Sequence, residues 1–549
     1  MSAVALEIAD VRIFSYSLDP LLVYSAISLA LLGLGAGGIL VSVRPALGRS
    51  LRQADTLSEP ALLSILLSAF AVLIVFAHAL FARSSDRVGF GSPAGIFRGA
   101  LPVFAILIAP YLVAGVGLSV VLTRHAAHIG RVYAMNLAGS ALGGVAIYPL
   151  LRPLGAERVV AMIALTCAGS ALLVVISAPK RVSEPNAGRL RWPIVFALSA
   201  VAIATLATIY SERAFPFAPD PKDLYGVAKS ALAAKYPTRD PQAYTPVREF
   251  SRWDPVSKIE IYRFPGDFGL VNGVAPVRLF AQDGGAGSML VDLRGRPELE
   301  RDLFEGTVYG LAYALHPQPD STLIIGLGGA PDILSALHHH SRRITGVELN
   351  QTTIDVVRAT YAEFLGWPYQ RPNVEIVYRD GRAFIEQTHQ RYDVLQMTGA
   401  DTYAAGASGA FMFSESYLYT SEAFDRYWRS LRENGVMSVI RFGFEAIRVI
   451  ATACDSMRRN GVKHPERHII VVDQGIWLNV LVSREELSRE RVDAFAAHLD
   501  QIIRSTHRIT FPVYDALGFG LSAEMNLMYA PGRPRQVLIS NLIESYALG

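Results

Sequence analysis

The stretch that decides the fold is residues 321–340, STLIIGLGGAPDILSALHHH, followed at 344–350 by ITGVELN. A short apolar run, a glycine turn and an amphipathic run, in that order, predict a buried strand, a tight turn and a helix. The second apolar run ends on Glu348, 22 residues after Gly326. A strand–turn–helix–strand unit with an acid at the tip of its second strand is suited to holding an adenosyl ribose by its hydroxyls. The glycines let the backbone approach the ligand where a Cβ would collide.

Working downstream, NVEIVYRDGRAF predicts a third strand ending at Asp380-Gly381, and RYDVLQMTGAD a fourth ending near Asp401. An amphipathic helix over about 420–432 and a fifth strand in NGVMSVIRF follow. Strands and helices alternate, which predicts a C-terminal α/β, parallel, doubly wound sheet with ligands at the carboxyl ends of its strands. Glu348, Asp380 and Asp401 all fall at such ends. Beyond it, HIIVVDQGIWLNVLVS and a helix over about 484–504 predict a hairpin and a packing helix.

Working upstream, KIEIYRF, VRLFAQDGG and SMLVDL alternate and break at glycines, as short antiparallel strands do. Residues 251–300 are therefore expected to form a small antiparallel β-subdomain, and 212–250, rich in Pro, Ala and charge, a linker with a short helix. Before residue 211 the composition changes. Six segments, about 21–43, 61–82, 100–122, 133–151, 159–178 and 192–210, approach the ~20 apolar residues that a membrane-crossing helix needs. The expected organisation is thus an N-terminal multi-span α-helical membrane domain over 1–211 with about six helices, and an α/β domain with a C-terminal extension over 301–549. Small residues at 33, 35, 37, 38 and at 139, 140, 143, 144 point to close helix packing. Asn136 is the intramembrane polar residue to follow. Arg and Lys lie in loops on both sides, so charge does not orient the segments.

A net charge of +3, with no basic stripe, excludes nucleic acid as a partner. The two cysteines, Cys167 and Cys454, form no C-x-x-C pair, and a disulfide framework is not expected. His338, His339 and His340 are consecutive and point to different faces, which suits a helix C-terminus and not a metal site; no metal is expected.

The runs LHPQPDSTLIIGLGG, GVELN, RDGRAF, YDVLQMTGAD and SESYLYTSEAF resemble, in order and spacing, those of spermidine synthases and their membrane-fused relatives, over about residues 250–445. That resemblance implies a Rossmann-like fold similar to class I S-adenosylmethionine-dependent methyltransferases, and S-adenosylmethionine or its decarboxylated form as ligand. It implies that Gly326, Gly328 and Gly329 line the amino-acid or aminopropyl tail, that Glu348 holds the ribose, and that Asp380 with the Gly381 amide reads the adenine. The sequence also departs from the family. Gly329 stands where aminopropyltransferases carry an amine-binding Asp, and the nearest acid is Asp332. Phe304-Glu305-Gly306 replaces a Tyr-His-Glu stretch, and of the D-S-S-D-P loop only Asp401 survives within Thr398-Gly399-Ala400-Asp401-Thr402.

A polyamine nitrogen attacks only when neutral, so a carboxylate must hold and deprotonate it. Asp401 is the candidate for that role, with Tyr403, Glu415 and Asp332 as substrate-binding candidates. The expected activity is a membrane-anchored aminopropyltransferase. The alternatives are methyl transfer to a lipid or small hydrophobic acceptor, and a transporter or sensor that binds a nucleoside or polyamine without turnover. Expected partners are the lipid bilayer, a small-molecule amine or hydrophobic acceptor, and a second copy in a homodimer. The cofactor's location places the soluble half on the cytoplasmic side of a bacterial inner or cell membrane.

Overall fold

The computed structural model describes residues 1–18, 25–43, 58–84, 101–178, 191–219, 224–400, 417–518, 520–533 and 537–548. It forms two compact units: Met1–Pro221 with Arg252–Ser257, and Lys222–Ser251 with Lys258–Gly549.

The first unit is helical: α1 (Ser2–Ser17), α2 (Ser25–Val43), α3 (Glu59–Ala82), α4 (Leu101–Arg124), α5 (Ile129–Ile176) and α6 (Arg191–Ile209). By length and composition, four helices among the described residues can cross a membrane: Glu59–Ala82, Leu101–Arg124, Ala126–Ile176 and Arg191–Ile209. Ile27–Val43 is a shorter apolar helix. The fourth and fifth expected segments lie in one 48-residue element, broken at Gly155 (φ 77°, ψ 159°) two residues after Pro153. Proline lacks the amide that an interior turn requires, and glycine accepts the positive φ that ends the run. The small residues of α2 do bring backbones together. A Cβ on Gly37 would lie 2.4 Å from the Leu112 carbonyl oxygen, and one on Gly33 2.5 Å from Tyr111 Cβ. Helix α1 was not foreseen, because its mixed polar composition hides it from a search for apolar runs.

The second unit opens within the stretch expected to be a linker with a short helix. Helix α7 (Leu224–Lys235) buries Leu224, Ala228 and Leu232 against Tyr244, Phe268 and Leu279. Five strands follow: β1 (Val247–Trp253), β2 (Lys258–Arg263), β3 (Leu270–Val271), β4 (Ala275–Gln282) and β5 (Ala286–Val291). They pair in the order β1-β2-β4-β3, with β5 on β4; the β2–β4, β3–β4 and β4–β5 pairs are antiparallel.

The main sheet contains β6 (Thr322–Ile325), β7 (Ile344–Glu348), β8 (Val374–Tyr378), β9 (Tyr392–Thr398), β10 (Leu431–Phe442), β11 (Ile469–Gln474), β12 (Trp477–Ser483) and β13 (Met525–Tyr529). Their order is β13-β11-β12-β10-β9-β6-β7-β8. The five strands from β8 to β10 are parallel. The β11–β12 hairpin and β13 extend the sheet antiparallel, so it is mixed at that edge. Successive residues of a strand face opposite sides. Ile324, Val394, Val436 and Ile440 accordingly fill the core on one face, and Leu323, Ile325, Leu395, Met397, Met437 and Val439 the core on the other. Both faces being covered, the strands read as continuous apolar runs instead of alternating ones. Strand order reverses between β6 and β9. A crevice therefore opens at their carboxyl ends, the place where open α/β sheets bind ligands.

Candidate functional site

Strand β6 ends in the glycine turn at that crevice. Gly326 has φ +80° and Gly328 φ +47°, both in the left-handed region, and a Cβ on Gly326 would sit 2.6 Å from Ala400 Cβ after β9. Ala330 (φ 72°) then starts helix α8 (Pro331–His338), with Pro331 at its first position, where a missing amide costs nothing.

Glu348, at the tip of β7, is 9% exposed. Its Oε2 accepts from the Leu327 amide at 2.9 Å and its Oε1 from the Asn350 amide at 2.8 Å. Burial raises its pKa, and the amides of Asn350, Leu327, Leu349 and Gly328 oppose that rise. A carboxylate offers about four lone-pair positions. The Leu327 and Asn350 bonds take one position on each oxygen, and the capacity left on the carboxylate suits the hydroxyls of a ribose.

Asp380, at the tip of β8, is exposed and caps helix α9 (Gly381–Gln387) by accepting from the Ala383 amide at 2.7 Å. Gly381 is required by contact: a Cβ there would lie 2.5 Å from Ile325 Cγ2. The first amide of a helix has no intrahelical partner, which leaves the Gly381 N–H as a donor beside the Asp380 acceptor. A donor next to an acceptor matches the edge of an adenine.

The other side of the turn is built differently. Strand β5 passes directly over it. A Cβ on Gly329 would stand 2.1 Å from the Met289 carbonyl oxygen, and one on Gly328 2.8 Å from Ser288 Oγ. The Gly329 amide donates to Ser288 Oγ at 3.0 Å. An aspartate at position 329 is thus excluded by the strand above it, a physical reason for the acid that the sequence lacks.

Asp332 is 2% exposed at the start of α8. Its Oδ1 accepts from Gln396 Nε2 at 2.5 Å and from Thr398 Oγ1 at 2.7 Å, both on β9. Burial pushes its carboxyl up to about 6, with those two hydrogen bonds holding it down. Its charge in turn adds to burial in raising the hydroxyls of Tyr309 and Tyr313. Gln396 Oε1 and the hydroxyls of Tyr313, Tyr369 and Tyr514 are buried with no hydrogen-bond partner among the described residues.

Six of the ten expected site residues, Gly326, Gly328, Gly329, Glu348, Asp380 and Gly381, therefore stand at the carboxyl ends of β6, β7 and β8, and Asp332 lies behind the turn. The remaining candidates, Asp401, Tyr403 and Glu415, lie outside the described residues. Ser288, Tyr309, Gln396 and Thr398 were missed. Gln396 alone gave a signal, as a polar residue inside an otherwise apolar strand.

In the histidine run, His338 has acids beside it: its Nδ1 meets Glu300 and its Nε2 meets Glu305, each at 3.2 Å. The two carboxylates take opposite ring nitrogens, so they cannot share one ion with that ring. Among the described residues no group of three His, Cys, Asp or Glu side chains is placed to hold a metal.

Residues 302–461 match the model of the spermine/spermidine synthase domain. A polyamine aminopropyltransferase of Korarchaeum cryptofilum is 27% identical over 131 residues, 24% of this chain and 38% of that protein. One from Streptococcus pneumoniae serotype 4 is 26% identical over 180 residues, 31% of this chain and 59% of that protein. The chain thus spans 38 to 59% of the length of these two relatives. Among solved structures, Thermotoga maritima spermidine synthase is similar with a TM-score of 0.33 at 19% identity, over 50% of this chain and 88% of that one. A probable spermidine synthase from Corynebacterium glutamicum gives 0.35 at 17%, over 55% and 94%. The C-terminal part of the chain is thus similar to spermidine synthase domains, and its sheet has a Rossmann-like arrangement.

Proposed function

We propose that the chain is a membrane-anchored polyamine aminopropyltransferase that takes decarboxylated S-adenosylmethionine as its aminopropyl donor. The observation that carries the reading is the buried Asp332 carboxyl at the topological switch point, lifted to about 6 and aimed by Gln396 and Thr398. A base with that pKa accepts a proton from an ammonium near neutral pH and returns it to solvent. In the reaction, the neutral amine nitrogen attacks the aminopropyl carbon bonded to sulfur. The C–N bond forms, the C–S bond breaks, methylthioadenosine leaves, and the amine proton passes to the carboxylate. Glu348 and Asp380 hold the nucleoside in place. Asp401, outside the described residues, is the second carboxylate proposed for the amine. The apolar helices of the first unit anchor the enzyme, with the soluble half on the cytoplasmic side.

Product analysis tests this directly. Incubation with decarboxylated S-adenosylmethionine and putrescine or spermidine should yield methylthioadenosine and a longer polyamine; no product with either amine would overturn it. A second reading, methyl transfer to a hydrophobic acceptor, is favoured by the closed position at Gly329, where no amine-binding acid fits. It requires S-adenosylhomocysteine as the product.

A further inference from the structure

Three titratable side chains meet in the first unit. Asp10 of α1, His78 of α3 and Tyr111 of α4 are 2%, 1% and 1% exposed. His78 Nε2 lies 2.7 Å from Asp10 Oδ1, and the Tyr111 hydroxyl donates to Asp10 Oδ2 at 2.6 Å. His78 Nδ1 lies 2.8 Å from the Ile74 carbonyl oxygen. Around them the core is apolar, with Leu6, Ile13, Phe14, Ile74 and Leu107 fully buried. A carbonyl only accepts, so the hydrogen-bond network assigns a proton to Nδ1. One further proton must then lie on the line between Nε2 and Oδ1. With it the pair is neutral; without it two lone pairs oppose each other and an uncompensated negative charge remains in an apolar core.

We propose that Asp10, His78 and Tyr111 form an exchangeable proton site inside the membrane half, whose emptying separates α1 from α3 and so couples proton movement to helix movement. A plain anchor needs no buried acid, and ionisable residues at such depth are costly unless they serve a pathway. Two more polar groups lie on the same side of α3. Ser68 and Ser64 are fully buried, and their hydroxyls have no partner among the described residues. A helical serine ordinarily satisfies its hydroxyl on the preceding turn, so these two are available to pass a proton along the helix.

The charged groups on the surrounding helices do not replace this pairing. Glu7 stands one turn from Asp10 on α1 and brings a like charge, and α2 has none among its described residues. Arg12 donates to the Val256 carbonyl, Arg83 to those of Ala79, Arg213 and Ala214, Glu157 accepts from Trp253, and Glu59 meets His125. Arg124, Arg131, Arg152, Arg158 and Arg191 stand at helix ends or near the Gly155 break.

The inference rests on the membrane reading and not on aminopropyl transfer. Only protein that resists alkaline extraction from vesicles enters the test, so failure to insert is scored separately. The full chain is labelled with nitrogen-15 histidine in lipid nanodiscs, and the His78 ring signals, assigned with His78→Gln, are followed across about pH 5 to 10. The expected result is a titration of His78 in the wild type that is lost in Asp10→Asn. In liposomes enclosing a pH-sensitive dye, the wild type should collapse an imposed pH gradient, and Asp10→Asn should do so only at the lipid-alone rate. A tie that merely holds helices together keeps its proton throughout. Wild-type His78 signals that do not change, or wild-type liposomes as tight as lipid alone, would overturn the proposal, and the liposome measurement needs no variant to fold.

Discussion

The two flanks of the glycine turn solve different problems with different materials. On the flank of β7 and β8, each acid is held by amides of its own strand–turn–helix units. Asp380 bonds three residues ahead, and Glu348 bonds two residues ahead and to the turn itself. On the flank of β5 and β9, Asp332 is held by side chains 64 and 66 residues away, and Gly329 by Ser288, 41 residues before it. Local amides come with the backbone and survive sequence change; distant side chains can be exchanged one at a time. The flank proposed for the nucleoside therefore depends on backbone amides, while the flank proposed for the acceptor depends on side chains that can be exchanged.

The largest expected effect breaks the second flank. Gly329→Asp restores the acid of aminopropyltransferases but drives its Cβ into the Met289 carbonyl, 2.1 Å away. Overpacking together with a displaced strand should cost more than about 4 kcal/mol. Thermal unfolding of the full chain in detergent should show an early transition or none. A variant as stable as the wild type, with faster aminopropyl transfer, would mean that β5 moves freely and that the two flanks are less different than argued.

Next in size is Glu348→Gln, which keeps the shape and removes the charge. Charge-assisted hydrogen bonds contribute roughly 1.5–3 kcal/mol each, so methylthioadenosine affinity by calorimetry should fall by about 100-fold. Asp332→Asn should leave that affinity nearly unchanged. Equal losses in both variants would erase the division between nucleoside and acceptor flanks.

Asp332→Asn has its own signature in pH. The folded carboxyl titrates at about 6, above its ordinary 3.8. Between those values the folded protein holds more protons than the unfolded chain, so stability is full below the window and falls as pH rises through it. Asparagine can still accept from Gln396 and Thr398 and carries no charge. The variant should gain on the order of 2 kcal/mol over the wild type above pH 6. It should also lose the acidic limb of the rate profile.

The same contrast explains what the sequence made legible. The β6–turn–β7 unit, Glu348 and Asp380 could be read because their chemistry is local: apolar runs, glycines and an acid at a counted spacing. The crowding at Gly329 could not, since it depends on β5 folding back from a separate subdomain. Phe304 was read as the upstream aromatic position; the rings whose hydroxyls respond to Asp332 are those of Tyr309 and Tyr313. Asp10 was invisible for another reason. It sits in a short helix of mixed polarity, and only the tertiary fold brings it to His78, 68 residues on. Asn136, a polar residue inside an apolar run, takes a half-buried position on α5.

The smallest effect separates two jobs held by one side chain. Asp380 caps α9 through the Ala383 amide and is proposed to read the adenine with its remaining oxygen. Asp380→Ala should cost about 1 kcal/mol of stability through the lost cap. It should also weaken methylthioadenosine binding by about fivefold through one exposed hydrogen bond. Serine is also a good cap, but its shorter side chain does not reach a base. Asp380→Ser should therefore recover the stability without recovering the affinity, and unfolding and calorimetry on the three proteins read the two apart. If serine restores both, the adenine role falls and Asp380 is a cap alone, which would leave Glu348 as the acid that defines the nucleoside flank.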